Sequence, residues 1–232
     1  MRLLEMEEIP MTLLKHANSK SKYTSDNKLM ETNTLTITGK ITSVPELSYQ
    51  IYGEDFYTTY IEIPRLSNVS DILPVTISHR LINMALLIPG TVVSINGQLR
   101  TYNKLVGTKS HLLLSVFTRH LEVIRTDDWR NRICLNGFIC KAPIYRETPF
   151  GREIADILVA VNRAYGKSDY IPLIAWGRNA RYAGLLSVGD NIQVAGRIQS
   201  RVYQKKYESG ETVDKMAYEV SIAKIEKTGA GL

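Results

Sequence analysis

The side chains from which catalytic sites are usually built are dispersed along this chain, whereas those that hold a polyanion by contact are gathered. His16, His79, His111 and His120 stand far apart, with no nucleophile–base pairing, carboxylate pair or metal-ligand spacing around them. Cys134 and Cys140 are six apart, which on a strand points both at one face; they read as buried free thiols rather than as a disulfide or a metal site. No Gly-rich phosphate loop, nucleophile elbow or zinc motif occurs. The expected chemistry is therefore non-covalent, with no catalytic residue, no cofactor and no metal. What does gather, between residues 163 and 206, is a series of cations interleaved with aromatic rings. Arg163, Arg178, Arg197, Arg201, Lys205 and Lys206 can neutralise phosphates, and a flat π surface can stack a planar ring.

The charge distribution points the same way. The net charge is +6 and the pI about 9.2, a balance that favours a polyanionic partner. Residues 1–32 carry 5 basic and 5 acidic side chains, residues 33–130 carry 9 and 8, and residues 131–228 carry 15 and 10, so nearly all the excess lies in the last part. At 232 residues the chain suits two domains of about 100 residues each. No apolar run approaches the roughly 20 residues of a membrane helix. Met1 to Lys15 mixes acids with leucines and does not resemble a secretory signal, so the expected location is the cytoplasm.

A shift of 98 positions lays the chain on itself. Asn33 meets Asn131, Gly39 meets Gly137, Pro45 meets Pro143, Arg65 meets Arg163, Ser70-Asp71 meets Ser168-Asp169, and Arg80 meets Arg178. With one added residue the register resumes, setting Gly97 on Gly196. Within each copy Leu35, Ile37 and Ile41, like Ile133, Leu135 and Ile139, alternate with polar residues as a half-buried strand does. Strands follow at Tyr57 to Ile63 and Ile154 to Val161, and at Ile72 to Ser78 and Tyr170 to Trp176. Helix-compatible stretches run from Arg80 to Ile88 and from Arg178 to Leu186, stopping before Gly90 and Gly189. Two more strands close each copy. This order predicts an all-β chain of two tandem OB-fold five-stranded barrels, each with a short helix between strands 3 and 4. The expected division is a flexible extension at 1–32, a diverged first barrel at 33–125, a linker at 126–130 with Trp129 packed on a domain, a main binding barrel at 131–228, and a short tail at 229–232.

The second copy resembles the bacterial single-stranded DNA-binding proteins. The resemblance rests on Asn131 with Gly137, Ala142-Pro143, Thr148-Pro149-Phe150-Gly151, Val159-Ala160-Val161, Ala175-Trp176-Gly177-Arg178, Val188-Gly189-Asp190 and Gly196-Arg197-Ile198. The first copy looks like a diverged member, keeping Asn33, Gly39, Pro45-Glu46-Leu47 and Gly97-Gln98-Leu99-Arg100. Two such domains resemble the tandem variant of the family, which implies a homodimer that supplies four barrels.

The resemblance also assigns roles. It implies sequence-tolerant binding of single-stranded DNA in replication, recombination or repair. Tyr165, Tyr170, Trp176 and Tyr203 fall at four base-stacking positions, with phosphates held by Arg163, Arg178, Arg197, Arg201, Lys205 and Lys206. The first copy has Ser67, Ile72, Ser78 and about Lys104 at the same four places, none able to stack a base. Secondary contacts there fall to Arg65, Arg80, Arg100, Tyr102 and Lys104. Family members end in an acidic tail that recruits partner proteins, whereas this sequence ends Lys227-Thr228-Gly229-Ala230-Gly231-Leu232. Replication proteins stay among the candidate partners, with the tail route to them in doubt. The rival readings are a replication or primosome accessory scaffold and an RNA-binding OB protein.

Overall fold

The computed structural model describes residues 32–106, 109–206, 210 and 212–228. The extension expected before residue 32 and the tail after 228 lie outside the described residues. The first half contains β1 (Asn33–Ile41), β2 (Glu46–Ile51), β3 (Glu54–Pro64), β4 (Ser70–Ser78), β5 (Val92–Val106) and β6 (Lys109–Val123). The second repeats the order with β7 (Asn131–Ile139), β8 (Ile144–Glu147), β9 (Glu153–Asn162), β10 (Ser168–Trp176), α1 (Arg178–Ala183), β11 (Asn191–Lys206) and β12 (Thr212–Lys227).

Each half closes on itself as a barrel. In the first, β1 pairs antiparallel with β3 at Ile41↔Ile61, and β4 pairs parallel with β6 at Val75↔Val116. In the second, β7 pairs with β9 at Phe138↔Ala160, and β10 runs parallel to β12 at Leu173↔Val220. The alternating apolar positions fill the interiors: Ile37, Ile61, Leu73, Val75, Ile95 and Leu99 are fully buried, as are Ile171, Ala175, Ile192, Ile198 and Val220. The barrels are joined by β1 and β7, which pair antiparallel from Asn33↔Leu135 to Ile37↔Asn131. One hydrogen-bonded sheet therefore runs through both.

The repeated glycines and asparagines answer to backbone geometry. A Cβ on Gly97 would sit 2.2 Å from the Phe117 carbonyl oxygen, and one on Gly196 would sit 2.3 Å from that of Ser221. Both glycines lie at β-bulges, where the long β5 and β11 bend away from their neighbours. Just beyond, Asn33 donates to the Leu99 carbonyl at 2.7 Å and accepts its amide at 3.0 Å, while Asn131 does the same with Ile198 at 2.7 and 2.9 Å. The side-chain amide thus replaces the ladder bonds that the departing strand no longer makes.

Two details differ from the sequence reading. The helical stretch of the first barrel shrinks to a 3₁₀ turn at Met84–Leu86, whose start is capped by the Asn83 side chain accepting from Ala85 N. Each barrel also gains a strand, β2 or β8, in a segment to which the sequence pattern assigns no element. Every residue of β2 is exposed, so no half-buried alternation marked it. No helix among the described residues is long and apolar enough to cross a membrane.

Candidate nucleic-acid interface

Alternation along the strands of the second barrel sorts its side chains into two sets. Along β10, Ile171, Leu173 and Ala175 enter the core, so Tyr170, Pro172, Ile174 and Trp176 face outward. Along β11, Ile198 is in the core, and Arg197, Gln199, Arg201 and Tyr203 take the outward register, opposite Ser221, Glu219, Ala217 and Lys215 of β12. Because β12 lies between β10 and β11, these rows share one surface. Trp176 is 41% exposed at one end and Tyr203 is half-buried on the row beyond. The acids of this surface are largely engaged. Glu219 accepts from Gln199 Nε2 at 2.7 Å and lies 3.5 Å from Arg201, and Asp156 accepts from Arg146 at 2.9 Å.

A different arrangement occupies the seam between barrels. Arg65 holds Asp71 through both carboxylate oxygens, its Nε donating at 2.8 Å, and Asp71 accepts the Ser200 amide of the other barrel at 2.7 Å. Arg65 Nη2 reaches the Ser200 carbonyl at 3.1 Å, and Ser200 Oγ accepts from Ile72 N at 3.0 Å. The repeat returns the contact. Arg163 holds Asp169, Asp169 accepts the Thr101 amide at 2.5 Å, Arg163 donates to the Thr101 carbonyl at 2.9 Å, and Thr101 Oγ1 accepts from Tyr170 N at 3.0 Å. Each barrel's Arg–Asp pair thereby grips the strand leaving the other barrel's bulge.

The outward face of the first barrel is aromatic in its own way. Tyr49 stacks on Phe56 with ring centres 4.9 Å apart, Phe56 meets Phe117 at 5.9 Å, and the Arg100 guanidinium lies 3.5 Å above the Phe117 ring. Burial holds Arg100 below its usual pKa, reinforced by the positive Arg163. Tyr60 and Tyr102 remain 41% and 49% exposed. These rings stand on β2, β3, β5 and β6, not at the four register positions, where Ile72 is partly exposed and Ser78 buried.

The expected site residues accordingly divide. Trp176, Arg201 and Tyr203 share the outward face of the second barrel, Trp176 at the opposite end of it from Tyr203, and Arg178 is exposed at the start of α1. Tyr170, expected to stack, is only 8% exposed, buried in a small outer cluster with Leu158, Ala160 and Cys140; desolvation pushes its phenol pKa upward. It offers no free ring face. Arg163 and Arg65 are committed to the seam, and Arg197, on Asp71 at 3.1 Å, is partly so. Arg80 is paired with Glu54 at 3.3 Å, and Tyr102 and Arg100 sit on the first barrel's face. Tyr165 lies in a 3₁₀ turn, Ala164–Gly166, Lys205 and Lys206 end β11, and Lys104 is in β5; the side chains of these four are outside those described. Cys134 is exposed and Cys140 half-buried, so the thiols are free but not both interior. The reason is that Cys134 stands on the outer side of β7, between Ile133 and Leu135, which enter the core. Asp71 and Asp169 were missed as functional residues, although their identity in the repeat, six positions after Arg65 and Arg163, was the signal.

Comparison with known proteins agrees with this architecture. Residues 130–228 match the model of the single-strand binding protein family. Over 83 residues the chain is 36% identical to a single-stranded DNA-binding protein of Clostridium tetani, covering 33% of this chain and 57% of that one. It is 35% identical to single-stranded DNA-binding protein A of Bacillus subtilis over 83 residues, 33% of this chain and 48% of the relative. It thus spans about half the length of the curated relatives it matches. The wild-type single-stranded DNA-binding protein of Thermus aquaticus superposes with a TM-score of 0.62 at 20% identity, over 86% of this chain and 94% of the other, which extends the shared fold across both barrels. The second barrel, residues 130–228, thus belongs to the single-strand binding protein family, and the chain as a whole shares the two-barrel fold of the Thermus aquaticus protein.

Proposed function

We propose that this protein binds single-stranded DNA without regard to base sequence, chiefly on the outward face of its second barrel, and so protects unpaired strands in replication, recombination or repair. The observation that carries the reading is that Trp176, Arg201 and Tyr203 are spread along one outward surface, Trp176 level with one end of β12 and Tyr203 opposite Lys215 toward the other, whose acids are largely engaged. An unpaired strand presents base faces and phosphates together; stacking on such rings contributes about 1–3 kcal/mol per base and needs no base identity. Arg178 and Arg201 meet phosphates, joined by Lys205 and Lys206 from the end of β11, and Tyr165 completes the ring set in the turn before β10. The role is one of binding and not of catalysis, exercised in the cytoplasm on nucleoid DNA. The resemblance to the tandem variant of the family implies a homodimer of four barrels, for which the exposed Leu47 and Ile51 of edge strand β2 offer an apolar surface to bury.

The test is tryptophan fluorescence titrated with oligo-dT, with a duplex of equal length and with a structured RNA, each at two salt concentrations. Oligo-dT quenches Trp176, duplex has little effect, and affinity falls with salt with a slope of about −0.7 per phosphate contacted. Equal affinity for duplex sinks the reading, and preference for the structured RNA replaces it.

A further inference from the structure

Beside the seam lies a cleft of about 780 Å³, where the turn after β3 meets the 126–130 segment and the start of β7. We infer that this cleft is a second contact site for the same strand, seating a phosphate on Arg132 and Arg197 and stacking a base on Trp129. The inference rests on the proposed single-stranded DNA binding and adds to it a place where the strand passes between the barrels.

Charge is the first argument. Asp71, 1% exposed, serves two guanidiniums, Arg65 and Arg197. Arg130 is balanced by Asp128 at 2.7 Å, and Arg132 has no ion-pair partner among the described residues. The lining therefore carries more cations than acids. Arg197 feels the excess: burial and the neighbouring Arg65 hold its pKa below the usual value, and an incoming phosphate relieves both costs.

Trp129 is the second argument. It lines the cleft but belongs to neither hydrophobic cluster of the described residues, so no core explains a large ring in the polar run Thr126-Asp127-Asp128-Trp129-Arg130. Continuity is the third. Arg197 is both a lining residue and the first member of the outward row that continues through Arg201 to Tyr203. A strand lying along that row reaches the cleft without leaving the protein. The volume is within the range of roughly 300–1,000 Å³ typical of small-ligand pockets, room for a nucleotide or two. The repeat does not duplicate the feature, because Gln98 stands in the first barrel where Arg197 stands in the second.

The chain's two tryptophans permit separate readouts. In Trp176→Phe, saturation with long oligo-dT quenches the remaining Trp129, whereas an oligomer that fills only the outward face does not. In Trp129→Phe the Trp176 signal persists for both lengths. Arg132→Glu, at an exposed position, weakens long oligo-dT binding about 5- to 10-fold at low salt and flattens the salt slope by about 0.7. Its urea midpoint, unchanged from wild type, excludes misfolding as the cause. If long oligo-dT quenches Trp176 normally while Trp129 stays silent and Arg132→Glu keeps the wild-type slope, the cleft is only a seam and this inference falls alone. If neither tryptophan responds and no oligo-dT binds, the functional reading falls and takes the inference with it.

Discussion

Asp71 of the first barrel accepts the Ser200 amide of the second at 2.7 Å, and its counterpart Asp169 accepts the Thr101 amide of the first at 2.5 Å. The two contacts are one contact made twice, in opposite directions, across a sheet already continuous through β1 and β7. Both carboxylates are 1% exposed, so their charge is tolerated only because an arginine and backbone amides surround it. The barrels are accordingly held by reciprocal polar clamps, with the gripped strands being those that carry Arg100 and Arg201 onward.

Removing one clamp should loosen the seam without emptying either core. Asp169→Ala leaves Arg163 facing a carbonyl and no acid, at a cost of about 2–3 kcal/mol. This is less than for a fully buried pair, because the Arg163 side chain keeps 27% of its surface in water. Urea unfolding shows the loss as a lower midpoint. An unchanged midpoint would mean that the β1–β7 pairing alone holds the barrels.

Trp176 and Tyr170 stand on the same outward row but should respond oppositely to substitution. Trp176→Ala removes an exposed ring at the end of a strand; oligo-dT affinity falls roughly 5- to 150-fold, the equivalent of about 1–3 kcal/mol of stacking, with stability nearly unchanged. Tyr170→Phe keeps the buried packing with Leu158 and Ala160 and leaves affinity near wild type, whereas Tyr170→Ala opens a cavity and lowers the urea midpoint. A Tyr170→Leu variant that keeps the wild-type urea midpoint yet loses oligo-dT affinity as Trp176→Ala does would show Tyr170 stacking on DNA after all.

Alkaline pH should weaken the fold through two half-buried acids. Burial pushes the Cys140 thiol from its ordinary 9.0 up to about 11 and the Tyr218 phenol from 10.0 up to about 12. With folded pKa values raised, the folded chain keeps these protons while the unfolded chain releases them. Stability is therefore complete below the ordinary pKa values and drains away as pH rises toward the shifted ones. Urea midpoints taken in steps from about pH 8 to about pH 11 fall, and Cys140→Ala removes the earlier part of the decline. A wild-type curve that is flat over this range contradicts the burial of both groups. Exposed Cys134, by contrast, is the thiol that alkylating reagents reach first.

The duplication, the strand order and the outward placement of Trp176 were legible because each leaves a periodic or repeated trace. Leu35 and Ile37 alternate with threonines, and Gly97 repeats as Gly196. The burial of Tyr170 was not legible, since alternation assigns a side but not what crowds it: Leu158 and Ala160 come from β9 and Cys140 from just beyond β7. The fate of Arg163 was hidden for a related reason. A guanidinium beside a binding row reads as a phosphate contact until Asp169 and Thr101, the latter 62 positions away, are brought to it in space. Strand β2 left no trace because neither of its faces is buried.

Gly196 links the fold to the interface most directly. At this bulge β11 turns from the barrel wall toward the row bearing Arg197, Arg201 and Tyr203, and any Cβ would lie 2.3 Å from the Ser221 carbonyl oxygen. That neighbour is backbone of the paired strand and cannot swing aside, so Gly196→Ala must displace β11 against β12. The expected cost is about 1–3 kcal/mol of stability, with weakened oligo-dT binding as the outward row moves. Gly151→Ala is the control. Gly151 has φ of +69° but open space around its Cβ position, so it bears only the left-handed backbone cost of about 1–2 kcal/mol and leaves DNA affinity untouched. If Gly196→Ala lost stability yet bound oligo-dT as tightly as wild type, the bulge would be a device of folding alone, and the aim of β11 would have to come from its pairing with β12.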